Sequence, residues 1–114
     1  MDDVLRFGRF LRERGAGLLS ARAYDLLTTN VLTPEQIGGG GFVLSGRGWS
    51  HGMSVTVTPD EVSETPGRYG WEGGYGTSWF NDPATGRIAI LLTQVSDVLF
   101  NGTLTEFGRL ALTA

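Results

Sequence analysis

The sequence contains no cysteine, no lysine and only one histidine. Without cysteine there is no disulfide, no thiolate metal site and no thiol nucleophile. All nine basic residues are arginine, so these residues hold no P-loop lysine, Schiff-base lysine or lysine general base. One histidine makes no metal site. Acidic residues exceed basic ones, for a formal net charge of −3, which gives no electrostatic footing for nucleic acid. No apolar run approaches the roughly 20 residues of a membrane-spanning helix. The opening Met1-Asp2-Asp3-Val4-Leu5-Arg6 is acidic and helical, so no signal peptide is visible and a cytoplasmic location is expected. At 114 residues the chain is one domain or less.

Glycine, by contrast, is plentiful, and it is densest around Arg68-Tyr-Gly-Trp-Glu-Gly-Gly-Tyr-Gly-Thr-Ser-Trp79. There Gly67, Gly70, Gly73, Gly74 and Gly76 are interleaved with Trp71, Tyr75 and Trp79. A strand rarely carries so many glycines, because each loses backbone entropy on folding and packs no side chain. Something must therefore come close to the backbone itself. Either a second strand does so in a glycine-rich bulged hairpin, or a ligand does so at an active-site strand.

Hydrophobic periodicity divides the chain. Val4, Phe7, Phe10 and Leu11 recur at helical spacing and predict a helix over residues 3–14, with Asp2 or Asp3 as its cap. Ser20 caps a second helix over about 21–29, with Ala23, Leu26 and Leu27 inward. Thr33-Pro34-Glu35-Gln36 is a helix-start signature, stopped after one turn by Gly38–Gly41, which reads as a flexible loop. Past Gly52 the period becomes 2, and Met53, Val55 and Val57 predict a half-buried strand. Residues 59–67 form a polar loop, and Tyr75–Asn81 reads as the next strand. A turn over Asp82–Gly86 leads into Arg87–Gln94, the most apolar strand and so the expected sheet centre. Thr103 and Glu106 make a capping box for a last helix, with Leu104, Phe107, Leu110 and Ala111 on one face. The expected class is α+β, an antiparallel sheet of three to four strands with flanking N- and C-terminal helices. The chain then reads as a single partial domain: a helical run-in over 1–37, strands over 46–95 and a C-terminal helix over 103–113.

Gly48-Trp49-Ser50-His51-Gly52 matches G-x-S-x-G, the nucleophile elbow of α/β-hydrolases. That motif needs a helix after its serine and a histidine late in the chain. Here a strand follows, and His51 is adjacent to Ser50, where it is badly placed as that serine's base. Asp60, Glu61 and Glu64 read as a solvated loop rather than a metal cage.

Several spaced features resemble one family: Gly46-Arg47-Gly48-Trp49, the stretch from Gly67 to Trp79, Asp82-Pro83, and Leu91-Leu-Thr-Gln94 ahead of the last helix. Together they resemble the C-terminal part of serine hydrolases of the β-lactamase and penicillin-binding protein superfamily. The likeness is greatest to β-lactamase-related esterases in which W-x-G replaces K-T-G. The resemblance implies that Trp71-Glu72-Gly73 stands where K-T-G would be, on a strand that walls the active site beside the nucleophilic serine. It makes the Gly74 N–H the candidate oxyanion donor, with Trp71 as an apolar wall and Tyr75 beside it. A backbone amide aimed at developing negative charge is what a tetrahedral intermediate requires. Glu72 would repel substrates recognised through their own carboxylate, which counts against penicillinase specificity.

Two motifs of that family are not in these residues. S-x-x-K needs a lysine, and Tyr24, Tyr69 and Tyr75 are not followed two residues later by Asn. The resemblance therefore implies the C-terminal segment of such a hydrolase, from a truncated or split reading frame and inactive alone, with no catalytic residue and no cofactor of its own. Its partner would be the N-terminal part of the same hydrolase on another chain, and the substrate of the completed enzyme an ester or amide. The alternative is a non-catalytic module that self-associates as a homo-oligomer through an exposed sheet edge.

Overall fold

Helical spacing of apolar residues puts Asp2–Arg12 into the first helix, α1, of a computed structural model that describes residues 1–114. Met1 occupies the cap position without a side-chain bond, and Asp2 and Asp3 fall in the first turn, where their charge complements the helix dipole. Ser20 caps α2 (Ala21–Thr28) as expected, its hydroxyl accepting from Ala23 N at 3.1 Å. The buried residue of α2 is Tyr24 rather than Leu26, which stays exposed. Thr33 and Gln36 form the reciprocal capping box of α3 (Pro34–Gly39). Gly38–Gly41 is not a loop. Gly38 and Gly39 close α3, and Gly41, with φ 53°, turns the chain directly into the short α4 (Gly41–Leu44).

Five strands follow instead of three or four: β1 (Gly48–Trp49), β2 (Ser54–Val55), β3 (Tyr69–Gly73), β4 (Thr77–Asp82) and β5 (Arg87–Leu92). All neighbours pair antiparallel in the order β1-β2-β3-β4-β5. The half-buried strand expected over 53–58 shrinks to β2, and both of its faces are buried. Its polar neighbours are buried because their hydroxyls find backbone partners. Ser54 Oγ donates to Gly70 O at 2.8 Å, and Thr56 Oγ1 accepts from Gly67 N and Arg68 N at 3.0 Å.

The strand expected over Tyr75–Asn81 starts two residues later, and β3 and β4 make a hairpin of the glycine-rich stretch. Gly73 pairs with Thr77, and Gly76 N donates to Gly73 O at 3.0 Å with Gly76 at φ 94°. This is a three-residue turn closed by a left-handed glycine. A side chain at Gly76 would collide with Val95 O and Thr93 Oγ1, so the glycine also admits the strand end after β5.

The apolar strand β5 lies at the sheet edge, not at its centre. It is apolar because helices cover both of its faces. Trp79 and Asn81 of β4 face α1, where Gly8 O accepts from Asn81 Nδ2 at 2.7 Å. Phe80, between them, points the other way and meets Phe107 of α5 (Thr103–Thr113) with ring centroids 6.4 Å apart. α5 starts without the expected capping box. Gly102 is its cap position and Thr103 already lies inside the helix, its N–H bonded to Asn101 Oδ1 at 3.1 Å. Gly108 is the buried residue of α5, while Leu110 faces solvent. The core joins Leu11, Met53, Val55 and Tyr69, with Phe10, Leu19, Leu27 and Trp79 packed around it. The result is the expected α+β class in three layers, helix, sheet and helix.

Candidate functional site

The end of β3 and the turn beyond it carry the residues singled out by the sequence. Trp71, Glu72 and Gly73 are the last three residues of β3. Gly74 and Tyr75 are the first two of the turn, and Tyr75 projects into solvent, 86% exposed. The Gly74 N–H finds no acceptor within the protein. A Cβ built on Gly74 would meet nothing within 4 Å, so the space beside its Cα is open. At Gly73 the reason for glycine differs: a Cβ there would strike Thr77 Oγ1 across the hairpin.

Trp71, Glu72 and Gly74 line a groove of ≈ 590 Å³ with Phe42 and Val43 of α4, and with Leu99, Phe100 and Leu104 ahead of and within α5. Phe42 is 84% exposed and Phe100 is 80% exposed, an unusual state for phenylalanines that share one groove. The helical turn built from Gly39–Leu44 therefore has a positional role, since it presents Phe42 and Val43 to the end of β3.

Glu72 does not stand as a free carboxylate. Arg47 Nη1 donates to Glu72 Oε1 at 2.9 Å and to Oε2 at 2.8 Å, and Arg47 Nε donates to Leu44 O at 3.2 Å. The Arg47 guanidinium also sits 5.2 Å from the Trp71 ring centroid, and Trp71 meets Trp49 edge-on at 4.8 Å. Both side chains of the ion pair are about three-quarters buried, with 23% and 27% exposure. The repulsion expected of Glu72 toward anionic substrates is thus corrected to that of a neutralised pair. Gly46-Arg47-Gly48-Trp49 stood out in the sequence, but a pairing across 25 positions has no signature in local spacing.

A second, polar compartment of ≈ 290 Å³ adjoins the groove and shares Arg47 and Glu72 with it. Its other charges are also paired, Arg68 donating to both carboxylate oxygens of Asp60. Burial alone would raise the Asp60 carboxyl. Arg68 and the amides of Ser63 and Val62 outweigh it and hold the group below its ordinary value of 3.8. Tyr69 is no candidate base. Burial, reinforced by the neighbouring Tyr24 hydroxyl, pushes its phenol above the ordinary value, while Asn81 Nδ2 donates to its oxygen at 3.2 Å.

Ser50 and His51 are not brought together. Ser50 is 3% exposed, and its Oγ bonds within its own turn to Met53 O, Gly52 N and Met53 N, each at 3.1 Å. His51 points the other way, Nδ1 lying 3.3 Å from Leu26 O. Asp60, Glu61 and Glu64 form no group of three that could hold a metal ion, and no helix is long and apolar enough to cross a membrane. Compared with known proteins, the family model described as Beta-lactamase matches residues 1–111. No curated protein and no solved structure matches the chain.

Proposed function

The chain belongs to the beta-lactamase family, and we propose that it builds the third-motif wall of a serine hydrolase of the W-x-G, esterase-like branch. In this reading a serine Oγ, from an S-x-x-K motif outside these residues, attacks an ester or amide carbonyl. The C=O electron pair moves onto oxygen and the serine proton passes to the base beside it. Collapse re-forms the C=O, breaks the C–O or C–N bond and leaves an acyl-serine, the base returning its proton to the departing alcohol or amine. The Gly74 N–H donates to the oxyanion, Trp71 walls the acyl side, and the turn carrying Tyr75 forms the rim. The observation that carries the reading is the unpartnered amide of Gly74, a residue that lines the apolar groove and has open space beside its Cα. A preorganised donor of this kind is among the largest contributions to acyl transfer. With no lysine in the sequence, these residues alone do not hydrolyse substrate by this route.

The test is reconstitution with a polypeptide that supplies S-x-x-K and Y-x-N. The mixture is expected to label with a fluorophosphonate and to hydrolyse p-nitrophenyl esters. Gly74→Pro should lower turnover by about 10²–10³-fold, the usual effect of losing one oxyanion donor. Gly74 follows Gly73 into a turn with negative φ at its first two positions, where proline is favoured, so the variant removes the amide and keeps the hairpin. Full turnover in Gly74→Pro would exclude the assignment.

A second reading, a non-catalytic module that self-associates, is supported by the position of β5. No strand pairs with its outer edge, and Leu92 at its end is 46% exposed.

A further inference from the structure

We infer that the Arg47–Glu72 pair is a specificity filter that makes the groove beside Gly74 select uncharged, apolar acyl groups and reject substrates bearing a carboxylate. The inference rests on the reading of Gly74 as the amide that faces the substrate carbonyl, and it names the substrate class of that site.

Arg47 and Glu72 are the only charged residues of the groove, and they neutralise each other through one nitrogen and two oxygens. In the adjoining polar compartment Arg68 is likewise paired with Asp60. Two cations thus face two anions across the whole site. An anionic ligand entering it would lose hydration without gaining an unpaired cation, and breaking the Arg47–Glu72 pair to gain one would leave Glu72 uncompensated. An uncharged chain meets no such penalty. Phe42, Val43, Leu99, Phe100, Leu104 and Trp71 offer it a continuous apolar lining, and Phe42 and Phe100 become covered as it binds. Arg47 also fixes the wall itself. Its Nε holds the end of α4 at Leu44 O, and its guanidinium lies against Trp71, so one side chain aligns both sides of the groove.

Two probes of equal length separate charge from apolar area: octan-2-one, whose carbonyl stands in for an ester carbonyl, and octanoate. Each is titrated into the intact 114-residue chain and followed by amide and indole NMR shifts. Octan-2-one is expected to shift the Gly74 amide and the Trp71 indole N–H, with octanoate at least about fivefold weaker. Glu72→Gln frees Arg47 to meet the probe and should tighten octanoate by about tenfold, the worth of one charge-assisted hydrogen bond. Phe42→Ala, at a position too exposed to affect folding, should weaken octan-2-one by about threefold or more. Octanoate binding the native chain as tightly as octan-2-one overturns the inference, as does failure of both probes to reach Gly74. A folded Glu72→Gln with unchanged octanoate affinity also overturns it. If Glu72→Gln does not fold, the native comparison and Phe42→Ala still decide. Because binding is read on this chain alone, selective binding without reconstituted turnover would refute the catalytic reading and spare this one. Turnover with a preference for anionic esters would do the reverse.

Discussion

Gly8 shows how a single absent side chain sets the distance between layers. A Cβ there would lie 2.8 Å from Ile88 Cγ2, 3.1 Å from Asn81 Oδ1 and 3.2 Å from Trp79 Nε1. The bare backbone lets α1 rest on β4 and β5 and lets Gly8 O accept from Asn81. Glycine inside a helix costs roughly 1 kcal/mol relative to alanine, so propensity alone favours Gly8→Ala. The Ile88 methyl is held close to the backbone by β-branching and has little room to yield. Gly8→Ala is therefore expected to lower stability by about 1–2 kcal/mol in urea unfolding, since overpacking outweighs the gain in propensity. A variant as stable as the parent would show that the α1 packing is looser than described. Nothing in the spacing of α1 marks this position, because the contact is made with residues more than 70 positions away.

Among the elements, the segment between β2 and β3 depends most on charge. Asp60 accepts from Val62 N and Ser63 N and is clamped by Arg68, while Arg109 of α5 donates to Glu61 O at 2.7 Å. The segment thus ties the sheet to α5 and forms one side of the polar compartment beside Glu72. Because the folded Asp60 carboxyl lies below its ordinary value, its stabilisation is present above the usual carboxylate range and is lost as pH falls through the lowered folded value. With the carboxylate about a third exposed, screening keeps this contribution below about 1 kcal/mol. Asp60→Asn should melt lower than the parent at pH 7, and the gap should close as pH falls below about 4, near the unfolded carboxylate value. A gap independent of pH would mean that the amide bonds of the turn matter and the ion pair does not. The starts of α1, α2 and α3 and the β4–β5 hairpin were legible because their signals are local. These are the apolar spacing of α1, Ser20 before α2, the Thr33–Gln36 box and the turn over Asp82–Gly86. By contrast, α4 falls where the sequence reads as a loop, and α5 lacks the capping box expected of it. The centre of the sheet was misjudged because an apolar strand covered by two helices at an edge looks the same in sequence as one flanked by strands.

At the scale of the whole molecule, surface is the telling quantity. The accessible area of 6881 Å² exceeds the roughly 6,100 Å² expected of a compact monomer of this mass. Part of the exposed surface is apolar at the groove around Phe42 and Phe100 and at Leu92, at the end of β5. Both readings of the protein use this surface, as a wall completed by the serine-bearing part of a hydrolase or as an edge that meets a second copy. If β5 mediates self-association, Leu92→Lys, placed on an already exposed side chain, should shift the chain toward monomer in sedimentation velocity without changing its circular dichroism. Unchanged association would remove β5 as the contact.

By itself the sequence determined the class of the fold, the composition of the 67–79 stretch and which motifs these residues do not contain. Helix caps, periodicity and glycine content act over a few residues, and the missing lysine excludes the family's serine-activating motif from this segment whatever the fold. Only the tertiary structure decided that the stretch is a hairpin with Gly74 at its open turn, that β5 is an edge, and that Arg47 neutralises Glu72. The hairpin closes over 4 to 12 positions, but the Arg47–Glu72 pair spans 25, where packing and charge pairing, not local preference, choose the partner.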